Sequence, residues 1–80
     1  MDAKRYVGLD VHKRQVVAAA VDQYQSVLFR PVKITIKALP SWAIDNLCST
    51  DVVALEATTN SWAIHDLLQG LVAQVLVANS

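Results

Sequence analysis

The chain has 80 residues, of which 54% are hydrophobic, and it carries seven basic and seven acidic side chains. A chain of this length holds one small domain, which buries only about 60% of the surface that it exposes when unfolded. Its formal net charge of zero excludes the overall basic field that draws many free-standing proteins to nucleic acid. Any contact with nucleic acid must therefore be local.

Cysteine content and the lengths of the apolar runs bear on location. The single Cys48 has no partner for an internal disulfide and no companion at metal-ligand spacing, which favours a reducing compartment and argues against a zinc site. We interpret it as a small core residue. No apolar run approaches the roughly 18 residues of a membrane span. We therefore expect a soluble, cytoplasmic protein with no membrane contact.

The first half of the sequence predicts three strands. Residues 5–11 (RYVGLDV) and 15–21 (QVVAAAV) are rich in β-formers and are separated by a short polar stretch, which predicts an antiparallel pair. A polar turn at residues 22–26, which contains no glycine, leads into residues 27–36 (VLFRPVKITI). Pro31 and the alternation of apolar and polar residues after it favour an edge position for this third strand.

In the second half, helical spacing alternates with strand-like runs. Apolar residues within 43–48 recur at the spacing of a helix. Residues 51–56 (DVVALE) form a nearly continuous apolar run, which is typical of a buried strand. A second helix is predicted between an N-cap at Asn60 and a stop at Gly70. Residues 72–77 (VAQVLV) then predict a fifth strand.

The predicted element order is β-β-β-α-β-α-β. An antiparallel meander followed by two βα crossovers is the order of the ribonuclease-H-like α/β sheet, so we predict a mixed five-stranded sheet in the order 3-2-1-4-5. Right-handed crossovers place both helices on one face and leave the other face uncovered. Because that face would expose more apolar surface than a soluble monomer usually does, we expect a homo-oligomer.

Two acidic residues stand at the ends of strands that this sheet makes neighbours. Asp10 lies near the end of the first strand and Glu56 closes the fourth, and the C-terminal ends of these strands meet at one crevice. Mg²⁺ prefers oxygen ligands such as carboxylates. Enzymes that cleave or join phosphodiester bonds at carboxylate sites commonly use two divalent ions about 3.5–4 Å apart. An isolated acid at a strand end is more often a cap or a solvated residue, so the pattern alone leaves both interpretations open.

Three segments carry a resemblance to a known family. The segments YVGLDVHK (6–13), ALEATTNSW (54–62) and VLVAN (75–79) resemble the opening of the DEDD-type transposases of bacterial insertion sequences, which include the Piv invertase and the RNA-guided bridge recombinases. The resemblance covers essentially the whole chain. It implies a RuvC-like catalytic domain with Mg²⁺ as cofactor, in which Asp10 and Glu56 are the first two of four metal-binding acids. It also implies that the full-length protein acts on DNA and, in some members, binds a guide RNA.

The same resemblance implies that part of the active site lies outside these residues. Family members carry two further Asp residues on a later helix and a separate domain with a nucleophilic Ser, and the other acids of this chain cannot be assigned to that pair. We therefore expect residues 1–80 to form a single partial catalytic domain, truncated before the later helices. Such a domain would bind Mg²⁺ weakly and be inactive alone.

Two other hypotheses stay open. One is a non-catalytic remnant that associates with itself or with a full-length transposase. The other is a fragment of an actin-like ATP-binding domain, since that architecture also opens with a strand ending in Asp. Such domains usually follow this Asp with a Gly- and Thr-rich phosphate turn, and residues 11–14 (VHKR) are not one, so this hypothesis ranks last.

Several smaller candidates have an ordinary structural explanation beside a functional one. His12 and Lys13 either face a phosphate or are solvated turn residues. Residues 58–61 (TTNS) offer backbone N–H groups to an anion, although capping of the second helix is the simpler interpretation. Trp42 and Trp62 are expected to pack against the sheet rather than to stack on a base.

Overall fold

The computed structural model describes residues 4–57 and 61–79. The strands are β1 (Arg5–Val11), β2 (Gln15–Asp22), β3 (Val27–Thr35), β4 (Val52–Ala57) and β5 (Gln74–Asn79), and the helices are α1 (Leu39–Asn46) and α2 (Ser61–Gln69). This is the predicted order. The predicted N-cap Asn60 lies outside the described residues. Within these ranges, no helix has the length and apolar character needed to cross a membrane.

The five strands form one mixed sheet in the order β3-β2-β1-β4-β5, which confirms the predicted fold. β1 pairs antiparallel with β2 and parallel with β4, and β4 pairs parallel with β5. β3 is an edge strand, as Pro31 predicted. Register shifts interrupt its pairing with β2. Together with Lys33, these irregularities make β3 a poor template for a further strand.

The core lies on one face of the sheet. On β1 the odd-numbered residues from Val7 to Val11 are buried, and the even-numbered residues between them are exposed. The buried residues of β1, β2 and β4 form one cluster with residues of both helices, including Leu39 of α1 and Leu68 of α2. Both helices therefore cover the same face, as right-handed crossovers require.

The opposite face of the sheet is covered by no other element among the described residues. It consists of the even-numbered residues of β1, β4 and β5 and the odd-numbered residues of β2. We call it the open face. Its middle row holds small residues on three adjacent strands, Ala19 on β2, Gly8 on β1 and Ala54 on β4.

The turn between β2 and β3 forms without glycine. Gln25 adopts a left-handed backbone conformation with φ 65°, which is unfavourable for a residue with a Cβ. Asp22 offsets this cost, because its Oδ1 accepts hydrogen bonds from the N–H groups of Tyr24 and Ser26 at 2.8 and 2.9 Å. An aspartate that bonds nearby backbone thus stabilises the turn.

An ion pair joins the starts of β1 and β4. Arg5 Nε and Nη2 donate to the two carboxylate oxygens of Asp51 at 2.9 and 2.7 Å. The N–H of Cys48 donates to the same carboxylate at 2.7 Å, and the Asp51 side chain is fully buried. Burial raises the pKa of Asp51, but the hydrogen bonds from Arg5 and Cys48 outweigh it and hold the pKa below its ordinary value.

The predicted core side of α1 is right for Ala43, which is buried, and for Leu47, which packs against the core, and it is wrong for Ile44 and Cys48. The helix buries Leu39 and Ala43, one turn apart, so Ile44 lies beyond this stripe and is 66% exposed. Cys48 is exposed rather than a core residue. The helix ends at Asn46 and the next residue is extended, so the chain leaves the core before it reaches the cysteine.

β5 begins at Gln74, two residues later than predicted. Val72 is buried but belongs to the connection after α2. The N–H of Ala73 donates to the carbonyl oxygen of Asp51 at 2.9 Å, just before the paired segment starts. Val72 is apolar because it is buried in this connection, and the sequence therefore predicts it as a strand residue.

The Arg5–Asp51 pair gives a prediction for stability. We expect Asp51→Asn to lower the free energy of unfolding by about 2 kcal/mol at pH 7, because Arg5 loses its counterion and the buried group loses charge-assisted hydrogen bonds. The folded-state pKa of Asp51 is lowered. The wild-type advantage is therefore fully present above about pH 5 and declines as the pH falls through the unfolded-state value of about 3.9 toward the folded-state value.

Urea denaturation between pH 7 and pH 2 measures this difference. Asp45→Asn is the matched control, because Asp45 is an exposed aspartate on α1. Equal effects of the two substitutions, or a difference that does not depend on pH, would contradict the role assigned to Asp51.

Candidate functional site

The parallel pairing of β1 with β4 places Asp10 beside Glu56. The two residues are register partners, and both side chains are exposed on the open face. Because neighbouring strands lie about 4.8 Å apart, the carboxylates project side by side, at a spacing that an ion and its waters can bridge. The structure thus brings the two acids together as predicted, and metal binding by them stays a prediction.

The acids stand at one end of a trough in the open face. Gly8, Ala19 and Ala54 line this trough, which has a volume of about 340 Å³. Apart from Gly8 itself and its two chain neighbours, no heavy atom lies within 4 Å of the position that a Cβ on Gly8 would take. The sequence did not predict the trough. The signal was available, because these small residues become neighbours once the strand register is known.

His12 contacts the first of the two acids. Its Nε2 lies 3.2 Å from Oδ2 of Asp10, and the side chains are 53% and 57% exposed. The sequence left His12 open between a phosphate contact and a solvated turn residue. The structure places it against Asp10.

The acid pair has the negative charge that a cation site needs, but it offers few ligands. Among the residues that the structure describes, no Lys or Arg side chain forms a salt bridge with Asp10 or Glu56. Within the same residues, no group of three or more His, Cys, Asp or Glu is placed to hold a metal ion. Two adjacent carboxylates can supply oxygen ligands to a hard divalent cation, which would keep several of its waters.

Of the two tryptophans predicted to pack against the sheet, the structure confirms one and contradicts the other. Trp42 packs against the core, as predicted, with its ring edge-on to Phe29 at a centroid distance of 6.1 Å. The prediction for Trp62 is wrong, because this side chain is 68% exposed. α2 turns Ile64 toward the sheet, and a residue two positions earlier points away from it. Residues 58–61, expected to cap α2 rather than to bind an anion, fall largely outside the described residues.

Comparison of the chain with models of protein families and with curated proteins gave no match.

The like-charged pair gives a prediction for the metal-free protein. Like charges directly opposite each other on neighbouring strands destabilise a sheet, so we expect Asp10→Asn and Glu56→Gln each to raise the free energy of unfolding by about 0.5 kcal/mol. Urea denaturation in low-salt buffer with a chelator measures the gain, and Asp45→Asn again serves as control. If both site variants lost stability instead, the carboxylates would have stabilising partners and the site would be structural.

Proposed function

We propose that this chain is the N-terminal part of the RuvC-like catalytic domain of a Mg²⁺-dependent DNA transposase or site-specific recombinase. Asp10 and Glu56 would be two of its four metal-binding carboxylates. The observation that carries the proposal is the in-register position of these two acids at the C-terminal ends of the parallel strands β1 and β4.

The connections after these strands support the same proposal. β1 continues into the hairpin with β2 on one side, whereas β4 continues into α2 and β5 on the other side. The chain therefore leaves the two strand ends in opposite directions. In open α/β sheets, such a point forms the crevice in which ligands bind.

The residues present fit a divalent cation. The two exposed carboxylates have no Lys or Arg partner among the described residues, so a bound cation would neutralise their mutual repulsion. A bound metal would supply Lewis-acid stabilisation of phosphodiester oxygens. The chain itself would hold the ion through Asp10 and Glu56, and His12 would orient the Asp10 carboxylate through its 3.2 Å contact.

The charge of the chain bears on its partners. A formal net charge of zero provides no basic surface to neutralise many phosphates. DNA, and a guide RNA in an RNA-guided system, would therefore be bound mainly by other parts of the full-length protein. We place that protein in the bacterial cytoplasm, where its DNA substrate lies.

Metal titration tests the site. We expect Mn²⁺ to bind with a dissociation constant of about 1 mM or weaker, because two carboxylates are only part of a ligand set. Paramagnetic broadening of amide NMR signals should begin at the ends of β1 and β4. Asp10→Asn and Glu56→Gln should each abolish it, whereas Asp45→Asn should leave it unchanged. Broadening that persists in both site variants would place the metal elsewhere and remove the support for the proposal.

A nicking assay tests the division of the active site. We expect the 80-residue chain to cleave neither supercoiled nor linear DNA with Mg²⁺ or Mn²⁺, because two acids alone cannot hold two ions in line. Metal-dependent cleavage that Asp10→Ala abolishes would show that the chain completes a site by itself or with a second copy.

The reading frame beyond the Ser80 codon separates the transposase from a non-catalytic remnant. Two closely spaced Asp codons and a later domain with a nucleophilic Ser would support the transposase. An immediate stop codon would favour the remnant.

A further inference from the structure

The zero net charge of the chain conceals an uneven distribution of its basic side chains. Three of the seven basic residues, Lys13, Arg14 and Lys37, lie in connections at the end of the sheet that carries Asp10 and Glu56. The first two belong to the turn between β1 and β2, and Lys37 follows the end of β3. We call these three residues the basic end.

Backbone hydrogen bonds bring the two connections together. The N–H of Ile36 donates to the carbonyl oxygen of Arg14 at 3.1 Å, so Lys37 directly follows the residue that is bonded to the turn. The N–H of His12 donates to the carbonyl oxygen of Gln15 at 2.8 Å and closes the same turn. All three residues of the basic end are exposed. Three cationic side chains therefore extend into solvent from one small region of backbone.

No carboxylate of the described residues forms a salt bridge with the basic end. In the same part of the chain, Arg5 pairs with Asp51 at the opposite end of the sheet. Protection of an edge strand accounts for a lysine such as Lys33, but it does not account for the basic end, whose residues all lie outside the strands. The concentration of unpaired positive charge favours an anionic ligand.

The basic end and the acid pair are neighbours at the same end of the sheet. Asp10 and Glu56 lie on β1 and β4, whereas the basic end lies on the side of β2 and β3. Neighbouring strands are about 4.8 Å apart, so the end of β3 is about 10 Å from that of β1. One strand of duplex DNA carries a phosphate about every 3.4 Å along the helix axis, so this distance spans about three phosphates.

We propose that the basic end binds the phosphate backbone of duplex DNA, beside the phosphodiester on which the acid pair would act. Lys13, Arg14 and Lys37 each contact about one phosphate, and such contacts position a strand without reading its sequence. The identity of the ligand rests on the proposed function. A few phosphate contacts supply a small part of the affinity of a DNA-binding protein, so the other parts of the full-length protein still supply most of it.

NMR titration of the 80-residue chain with a short DNA duplex tests the basic end. The amide signals of residues 12–15 and 36–38 should shift as DNA is added, and the shifts should diminish between about 50 and 200 mM salt. The buffer contains a chelator, so the result does not depend on metal binding by the acid pair. Failure of the proposed function in the metal titration and failure of DNA binding here are therefore separate results.

Charge-removing variants measure the contribution of the basic end. Arg14→Gln combined with Lys37→Gln should weaken DNA binding at least about tenfold and reduce the salt slope of the affinity by roughly two, because two phosphate contacts are lost. Lys4→Gln combined with Arg30→Gln is the matched control, since it removes the same charge from two exposed residues outside the basic end. At about 0.1 M salt, charges more than about 10 Å from the DNA are largely screened, so the control should change the affinity less than about threefold.

Three results would overturn the proposal. Shifts that are absent, or that lie outside the two connections, would show that the basic end does not bind DNA. Equal losses of affinity in the two double variants would show a general attraction of charge rather than a site. An RNA duplex of the same sequence that binds these residues more tightly than the DNA would assign the basic end to a guide RNA.

Discussion

The parallel register between β1 and β4 is the constraint on which the rest of the structure depends. It pairs Tyr6 with Val52 at one end and Asp10 with Glu56 near the other. A slip of one residue would move every side chain of β1 to the opposite face. The bidentate contact between Arg5 and Asp51, at 2.7 and 2.9 Å, lies immediately before the first paired residues and favours this register over its neighbours. The same contact therefore helps to align the acids at the far end.

The charged side chains at the two ends of the β1–β4 pair are arranged in opposite ways. At the start, opposite charges meet, the carboxylate is buried, and Cys48 satisfies it further through its backbone N–H. At the end, two carboxylates of like charge lie side by side in solvent. A fold under selection for stability alone has no reason to keep the second arrangement, and local conflicts of this kind concentrate at functional sites. The contrast supports a ligand role for the acid pair.

The sequence predicted the features that depend on periodicity and topology. Element order, strand order and the meeting of Asp10 with Glu56 follow from apolar spacing and crossover handedness. The features that the sequence did not predict are those that tertiary contacts determine. Asp51 resembles an ordinary residue at the start of a strand, and only the fold brings Arg5, 46 positions earlier, into contact with it. Residue type favours the core for Trp62 and Cys48, but the phase of α2 and the end of α1 expose them. Periodicity locates a helix better than it fixes which side of a short helix is buried.

Covering the sheet would stabilise the apolar open face but destabilise the acid pair. Apolar surface is stabilised by leaving water, whereas an unpaired carboxylate loses its solvation when it is buried. Gly8 and Ala54 lie in the middle of the strands, and the acids lie one row further along, near their ends. A partner can therefore cover the small residues and stop short of the charges. Acids placed two residues earlier would be buried by any such cover. Their position at the strand ends allows the face to be covered while the site stays in contact with solvent.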